Sequence, residues 1–349
     1  MNMSITKTIY SSILMFGALF VSCTKEYDSD CYTGARIRYS YLLNTMDKDL
    51  FGSDVNRMGI YIFDNQGLFL DSVIIDNPAL LDDQHLVQLS LQPGRYTLLS
   101  WGGYIVDHYR IGDMRNPTDP DSFVDGLVKG STSLDCFRLK LKSIDDNSGN
   151  LMAVDDAMDL YYGEATEIEV VSGKLSEQTI PVIKNTNTLK IKVAGLENLN
   201  TGLPYSTTTR VDFQPLNITA VEADGSYLWN NGSENYAREL IYTPDSYRMA
   251  DGSVEIDIKV QRLVKDLETI KPFNLKIASA GDGRVIYERN IISEVLSLKD
   301  PTGKPIYSSQ DDLDREDTYI FDIKISADLV VSVTVNGWVS SSIDKPFGK

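Results

Sequence analysis

The sequence predicts an all-β chain, built as two tandem β-sandwich domains with little helix. Three observations lead there. Apolar and polar residues alternate with a period of two along most of the chain. Turns bearing glycine and asparagine punctuate those runs. And 349 residues, 42% hydrophobic and 24% charged, are too many for one ordinary β-domain and enough for each half to bury its own core.

The elements follow in chain order. RIRYSYL alternates around Ile37, Tyr39 and Tyr41, and HLVQLSL puts Val87, Leu89 and Leu91 on one face. Asp64-Asn65-Gln66-Gly67 separates GIYIF from LFLDSVII and places glycine where a tight hairpin needs positive φ. GLFLDSVII and PGRYTLLSW read as neighbouring strands of one sheet. The stretch Arg110–Ser133, rich in Gly, Pro, Asp and Ser, reads as a long loop. FRLKLKS sets Phe137, Leu139 and Leu141 inward, with Arg138, Lys140 and Lys142 in water. The boundary falls near Pro181–Asn187, which gives an N-terminal domain over 35–183 and a C-terminal one over 184–349. Beyond it TLKIKVAGL and SVEIDIKVQ repeat the alternation of half-buried antiparallel strands. Ala223-Asp224-Gly225-Ser226 forms a second hairpin turn between NITAVE and YLW. Helical spacing is confined to weak patches near Asp155–Asp159 and Ser293–Leu298.

The amino end has a different character. From Ile9 to Val21 there is no charge, a run well short of the roughly 20 apolar residues a membrane-spanning helix requires. It reads as the apolar region of a signal peptide covering 1–22. Phe20-Val21-Ser22-Cys23 resembles a lipobox, although Leu is more usual where Phe20 stands. Cleavage between Ser22 and Cys23 leaves a thiol for diacylglycerol and an amine for a further acyl chain such as palmitate. Each buried methylene contributes about 0.8 kcal/mol, so two or three chains hold where one is marginal. Residues 23–34 then read as a lipidated tether, acidic at Glu26, Asp28 and Asp30 beside Lys25.

Charge and composition exclude other roles. A net charge of −17 leaves no basic surface for nucleic acid, and membrane attachment rests on acyl chains. With Cys23 acylated, Cys31 and Cys136 form an even pair. Bonded, a loop of that size contributes about 4–5 kcal/mol; two separate thiols are equally compatible with the sequence. The acidic runs SIDDNSGN, VDDAMD and DDLDRED read as solvated loops, and in the first Asp145, Asn147 and Gly149 miss the EF-hand spacing, so no metal is expected. The only histidines, His85 and His108, lie in no nucleophile or metal motif. Cys136 sits beside strand sequence, where a thiol is normally inert. Neither catalytic residues nor a small-molecule cofactor is expected. Trp101 and Trp338 read as packing residues at strand ends, whereas Tyr227, Trp229 and Tyr236 lie in a polar, Asn-rich stretch more open to a binding role.

DVNRMGIYIFDNQGLFLDSV (Asp54–Val73), LQPGRYTLLSWGGY (Leu91–Tyr104), DLYYGE (Asp159–Glu164), IKNTNTLKIKVAGL and YIFDIKI with VSVTVNGW (Tyr319–Trp338) together resemble the fimbrial anchor lipoproteins of anaerobic Gram-negative bacteria. No single motif is highly specific; the ordered set behind a lipobox is. The resemblance implies transthyretin-like topology in both sandwiches. It also implies a partner, the fimbrial stalk subunit, and a place at the base of the fibre on the outer membrane, where the anchor ends subunit addition. Residues 25–30 resemble the surface-export tether of such lipoproteins. Strand complementation at an open sheet edge is the physical means of pairing. The alternatives are a glycan-binding β-sandwich lipoprotein, which needs coplanar exposed aromatics, and a tip or adhesin subunit of the same fimbrial class. Cys23→Ala is expected to release the protein from membrane fractions. Retention there would show that the lipobox reading is wrong.

Overall fold

The computed structural model describes residues 33–343, apart from 77–85, 104–107, 117–118, 146, 148, 155–157, 200–215, 224, 233–238, 245–246, 251 and 266–272. Its strands, numbered in chain order, form five sheets.

The first sheet places β1 (Gly34–Ser40) between β4 (Leu86–Leu89) and β12 (Leu175–Pro181). The second runs β13 (Ile183–Lys184), β11 (Leu160–Val170), β5 (Gly94–Gly103), β2 (Arg57–Phe63) and β3 (Phe69–Asp76). A third, smaller sheet runs β16 (Ser226–Leu228), β8 (Phe137–Leu141), β6 (Tyr109–Met114) and β7 (Phe123–Asp125). The fourth runs β21 (Val285–Asn290), β20 (Asn274–Ser279), β15 (Leu216–Ala223), β17 (Glu239–Tyr242), β10 (Leu151–Ala153) and β9 (Ser143–Asp145). The fifth runs β18 (Arg248–Ala250), β19 (Ser253–Gln261), β14 (Thr186–Ala194), β22 (Thr318–Ile325), β23 (Val331–Val335) and β24 (Trp338–Ile343). Short helices occur at α1 (Phe51–Asp54), α2 (Ile291–Leu296) and α3 (Gln310–Arg315). The chain is all-β.

Alternation decides which faces meet. Ile37 and Tyr39 of the first sheet pack on Met58, Ile60 and Leu98 of the second, closing one core. The opposite face of the second sheet is also covered: Tyr61, Phe63, Leu99 and Trp101 join Tyr109, Phe137 and Leu139 of the third sheet. That core continues into the fourth and fifth sheets through Leu189, Ile191, Ile218, Ile256, Leu275 and Phe321. Burial on both faces explains why β2 reads as RMGIYIF, a nearly unbroken apolar run. Strands from both sides of residue 184 share sheets: β9 and β10 extend the fourth, and β16 completes the third.

Several expectations change on inspection. GLFLDSVII and PGRYTLLSW share a sheet but are not neighbours, because β2 lies between β3 and β5. The presumed loop at 110–133 contains β6 and β7, whose short runs carry too few apolar residues to show alternation. Gly67 (φ +74°) closes the β2–β3 hairpin as expected. Gly225 (φ +78°) also turns the chain, but the flanking β15 and β16 enter different sheets, so the turn is a crossing and not a hairpin. Arg138 is only 3% exposed; its guanidinium folds back and donates to the carbonyls of Asp135 (2.5 Å) and Phe137 (2.8 Å). Tyr227, read as a surface residue, is buried, and Trp101 is buried as expected. Tyr236 and His85 lie outside the described residues.

The acidic run at 311–317 is also no loop, for it forms α3. Ser309 caps it in a reciprocal box with Asp312. Backbone N–H groups of Ser308 and Ser309 (2.8 and 2.9 Å) donate to the Asp312 carboxylate and hold its pKa down at about 2. A depressed carboxyl contributes stability above its unfolded pKa and loses it as pH falls through the folded value. Asp312→Ala is therefore expected to cost about 1 kcal/mol at neutral pH, with the deficit fading as pH falls below 3.8 and gone below about 2. Denaturant titrations at neutral and acid pH measure both.

Candidate functional site: the first strand, the junction and the open edge

Ser22, Cys23, Lys25, Glu26, Asp28, Asp30 and Cys31 lie outside the described residues. Cys136 is half-buried, at the end of the short turn Leu134–Cys136 that leads into β8. The described residues begin at Thr33. Thr33 accepts a hydrogen bond on its hydroxyl from the Gly173 N–H (2.9 Å), and one residue later the chain is already strand β1. β1 is central in its sheet, parallel to β12 over seven register pairs and antiparallel to β4 over four. The outer face of this sheet carries a shallow polar depression of about 180 Å³ lined by Arg36, Arg38, Leu86, Glu177, Gln178 and Thr179.

A second group of residues ties the two halves together. Asn185, fully buried between β13 and β14, donates from its N–H to the Leu160 carbonyl (2.6 Å). Its own carbonyl accepts from the Tyr227 hydroxyl (2.6 Å) and the Arg262 N–H (3.0 Å). Its side-chain amide pairs reciprocally with that of Asn231. Arg262 meets Asp314 at 2.8 Å with both side chains almost fully buried, and Gln310 donates to the same carboxylate at 2.6 Å. Burial raises the Asp314 pKa above the usual carboxylate range, against the opposing pull of Arg262. Nearby, Asp159 lies 2.7 Å from Lys259 and 3.4 Å from Lys184. Desolvation pushes that carboxyl up, but the two ammonium groups outweigh it and hold the pKa below the ordinary value. Arg315 reaches Asp47 (2.6 Å) and the Asn44 carbonyl (3.1 Å), while Tyr41 donates to Asp317 (3.1 Å). Asp159, Asp314 and Asp317 are thus bonded within the fold and are not the solvated loop carboxylates their acidic runs suggest. The available signal was the run Lys184-Asn185-Thr186-Asn187, polar residues between two apolar strands, where buried amides satisfy a crossing backbone.

Sheet edges are the places where another chain's backbone can add. Natural edges are blunted by charge, proline or coverage. β3 carries Asp71 and Asp76, and the segment 128–132 covers its start: Phe69 N–H donates to Thr132 (2.8 Å) and Gly130 N–H to Phe69 (2.7 Å). β12 carries Glu177 and Pro181, and β21 carries Glu288 and Arg289. β24, sequence WVSSSI, carries no charge and no proline over six residues, whereas the edge strands of like composition, β4 (LVQL) and β16 (SYL), run for only four and three. It ends the fifth sheet, pairs with β23 through the Asn336-Gly337 turn, and presents Val339 at 72% exposure. Both turn residues have positive φ (50° and 81°), the geometry of a tight hairpin. Helix α2 flanks β24, with the Glu294 carboxylate accepting from the Ser340 hydroxyl.

The model of the fimbrillin-A associated anchor proteins Mfa1 and Mfa2 matches residues 27–344. The chain belongs to that family. It is a family of structural fimbrial anchors, not of enzymes, and its members are associated with fimbriae at the cell surface. Solved structures share the fold. The fimbrial anchor protein Mfa2 from Porphyromonas gingivalis is 17% identical, with a TM-score of 0.62 over 88% of this chain and 99% of that one. A Bacteroides ovatus protein described provisionally as an adhesin is 18% identical (TM-score 0.68, 88% and 94% covered). A Bacteroides thetaiotaomicron protein described provisionally as polysaccharide-binding is 22% identical (TM-score 0.66, 88% and 96% covered). No curated protein sequence matches the chain.

The junction makes a direct prediction. Asp314→Ala strands a buried guanidinium and is expected to cost about 3–5 kcal/mol, whereas Arg262→Met combined with Asp314→Leu recovers most of that loss. Equilibrium unfolding of the single and double variants measures the difference.

Proposed function

We propose that this anchor is an outer-membrane lipoprotein, acylated at Cys23 and carried to the cell surface by the Lys25–Asp30 tether. In this reading it holds the base of a fimbria and limits the growth of the fibre. The stalk subunit adds an extended segment along β24, and main-chain hydrogen bonds continue the fifth sheet. The observation that carries this is the uncharged, proline-free edge of β24. A second copy fits that edge poorly, since it would bring together two chains of net charge −17. A strand from another protein is the occupant this reading takes.

The anchor reading also agrees with the aromatics. A glycan-stacking face needs several exposed rings, and Trp101 and Tyr227 are buried. Tilted ring contacts hold the two together at 5.5 Å between centroids.

A charge on the open strand tests the reading. Val339→Lys is expected to weaken capture of the stalk subunit by roughly tenfold, about 1.4 kcal/mol. Recovery of the subunit with the anchor from solubilised outer membranes, and fibre length by electron microscopy, read the effect. Val171→Lys, at an exposed position away from β24, should leave both unchanged. Normal recovery and normal fibres with Val339→Lys would exclude β24 as the docking edge.

A further inference from the structure

A protein that joins a membrane to a fibre must carry tension, and where tension enters a sheet decides how strongly the sheet resists. We propose that β1 and β12 form a shear clamp, so that force from the lipid is borne by their whole hydrogen-bonded length at once. The inference rests on attachment at the amino end, as proposed above, but the clamp is a property of the folded chain by itself.

The path can be followed residue by residue. Force enters at Thr33 and Gly34, the N-terminal end of β1. It leaves the first sheet at Pro181, the C-terminal end of β12, because the next residues lead into β14 and the fifth sheet. The two strands are parallel, in register from Gly34↔Leu175 to Ser40↔Pro181. Entry and exit therefore lie at opposite ends of one parallel pair. Loading is along the strands, and the evenly spaced, slanted bonds of a parallel ladder share the load. An antiparallel hairpin pulled from its open end breaks one bond at a time.

Both ends of the clamp are pinned. At the entry, Gly173 N–H donates to the Thr33 hydroxyl (2.9 Å). At the exit, Val182 N–H donates to the Ser40 carbonyl (2.8 Å). β4 flanks β1 on its other side over four register pairs, from Ala35↔Leu89 to Arg38↔Leu86. Inward, Ala35, Ile37 and Tyr39 are at most 1% exposed, and the Tyr39 hydroxyl shares a 2.7 Å hydrogen bond with Ser100 of the facing sheet. Sliding β1 by one residue would turn this whole set to the wrong face.

The exit has no slack. Between β12 and β14, Ile183 and Lys184 pair with β11, and buried Asn185 is held by Leu160, Tyr227, Arg262 and Asn231. The buried amides thereby gain a mechanical role, since they pass tension into the second half without a flexible linker.

Single-molecule pulling on the mature, unlipidated chain tests this, with Cys31→Ser and Cys136→Ser leaving Cys23 as the thiol of the amino-terminal handle. One handle is the amino terminus. The other is Lys190→Cys on β14, which loads the pair in shear, or Val171→Cys just before β12, which peels β1 from its entry end. The clamp predicts a higher rupture force in the first geometry at equal loading rate. Val182→Pro, lacking the N–H given to Ser40, should lose part of that excess and leave the peeling force unchanged. Equal forces in the two geometries, or release of β1 at low force in both, would overturn the clamp. Lipidation is not involved, so failure here is distinct from membrane release by Cys23→Ala.

Discussion

The fold depends on one placement: the first described strand is not at an edge. β1 begins one residue after Thr33 and is bonded on both sides, by β12 in parallel and β4 in antiparallel. β12 is more than a hundred residues further along the chain, and the inner face of the sheet it forms with β1 packs on β2, β5 and β11. Closing so long a loop costs entropy that the surrounding packing must offset. β1 is thus secured by the stability of the whole first sandwich.

The second constraint is the double use of the second sheet. Its β2 and β5 bury both faces, one against the first sheet and one against the third. Trp101 packs on Tyr162 and Tyr227, so a residue beyond the junction completes a core begun before it. Polar groups trapped at the crossing are paired with one another: Arg262 with Asp314, Asn185 with Asn231, and Asp159 with Lys184 and Lys259. A junction of this kind resists bending, because moving either half leaves buried donors and acceptors unpaired.

Strands with one wet face were plain in the sequence, since a period of two survives wherever water covers one side. TLKIKVAGL and SVEIDIKVQ became β14 and β19 with Leu189, Ile191, Ile256 and Ile258 inward. What failed to show were features set by distant partners. Arg138 looked wet because its own carbonyls satisfy it, and nothing local reveals that. α3 is hidden in an acidic run because its capping box needs Ser309, two residues before DDLDRED begins. β2 sits between β3 and β5 because sheet order depends on which faces are covered, and periodicity does not record it. The open edge at β24 was written locally, as six residues without charge, but only the sheet order shows that the strand is last.

Amide hydrogen exchange across β1 in the intact protein is the most direct measurement. If the strand is locked from both sides, the Gly34–Ser40 amides exchange only with global unfolding, at the same free energy as β5 and β14. Exchange of β1 through a local opening far below that energy would mean that the strand detaches by itself and is not locked into the sandwich.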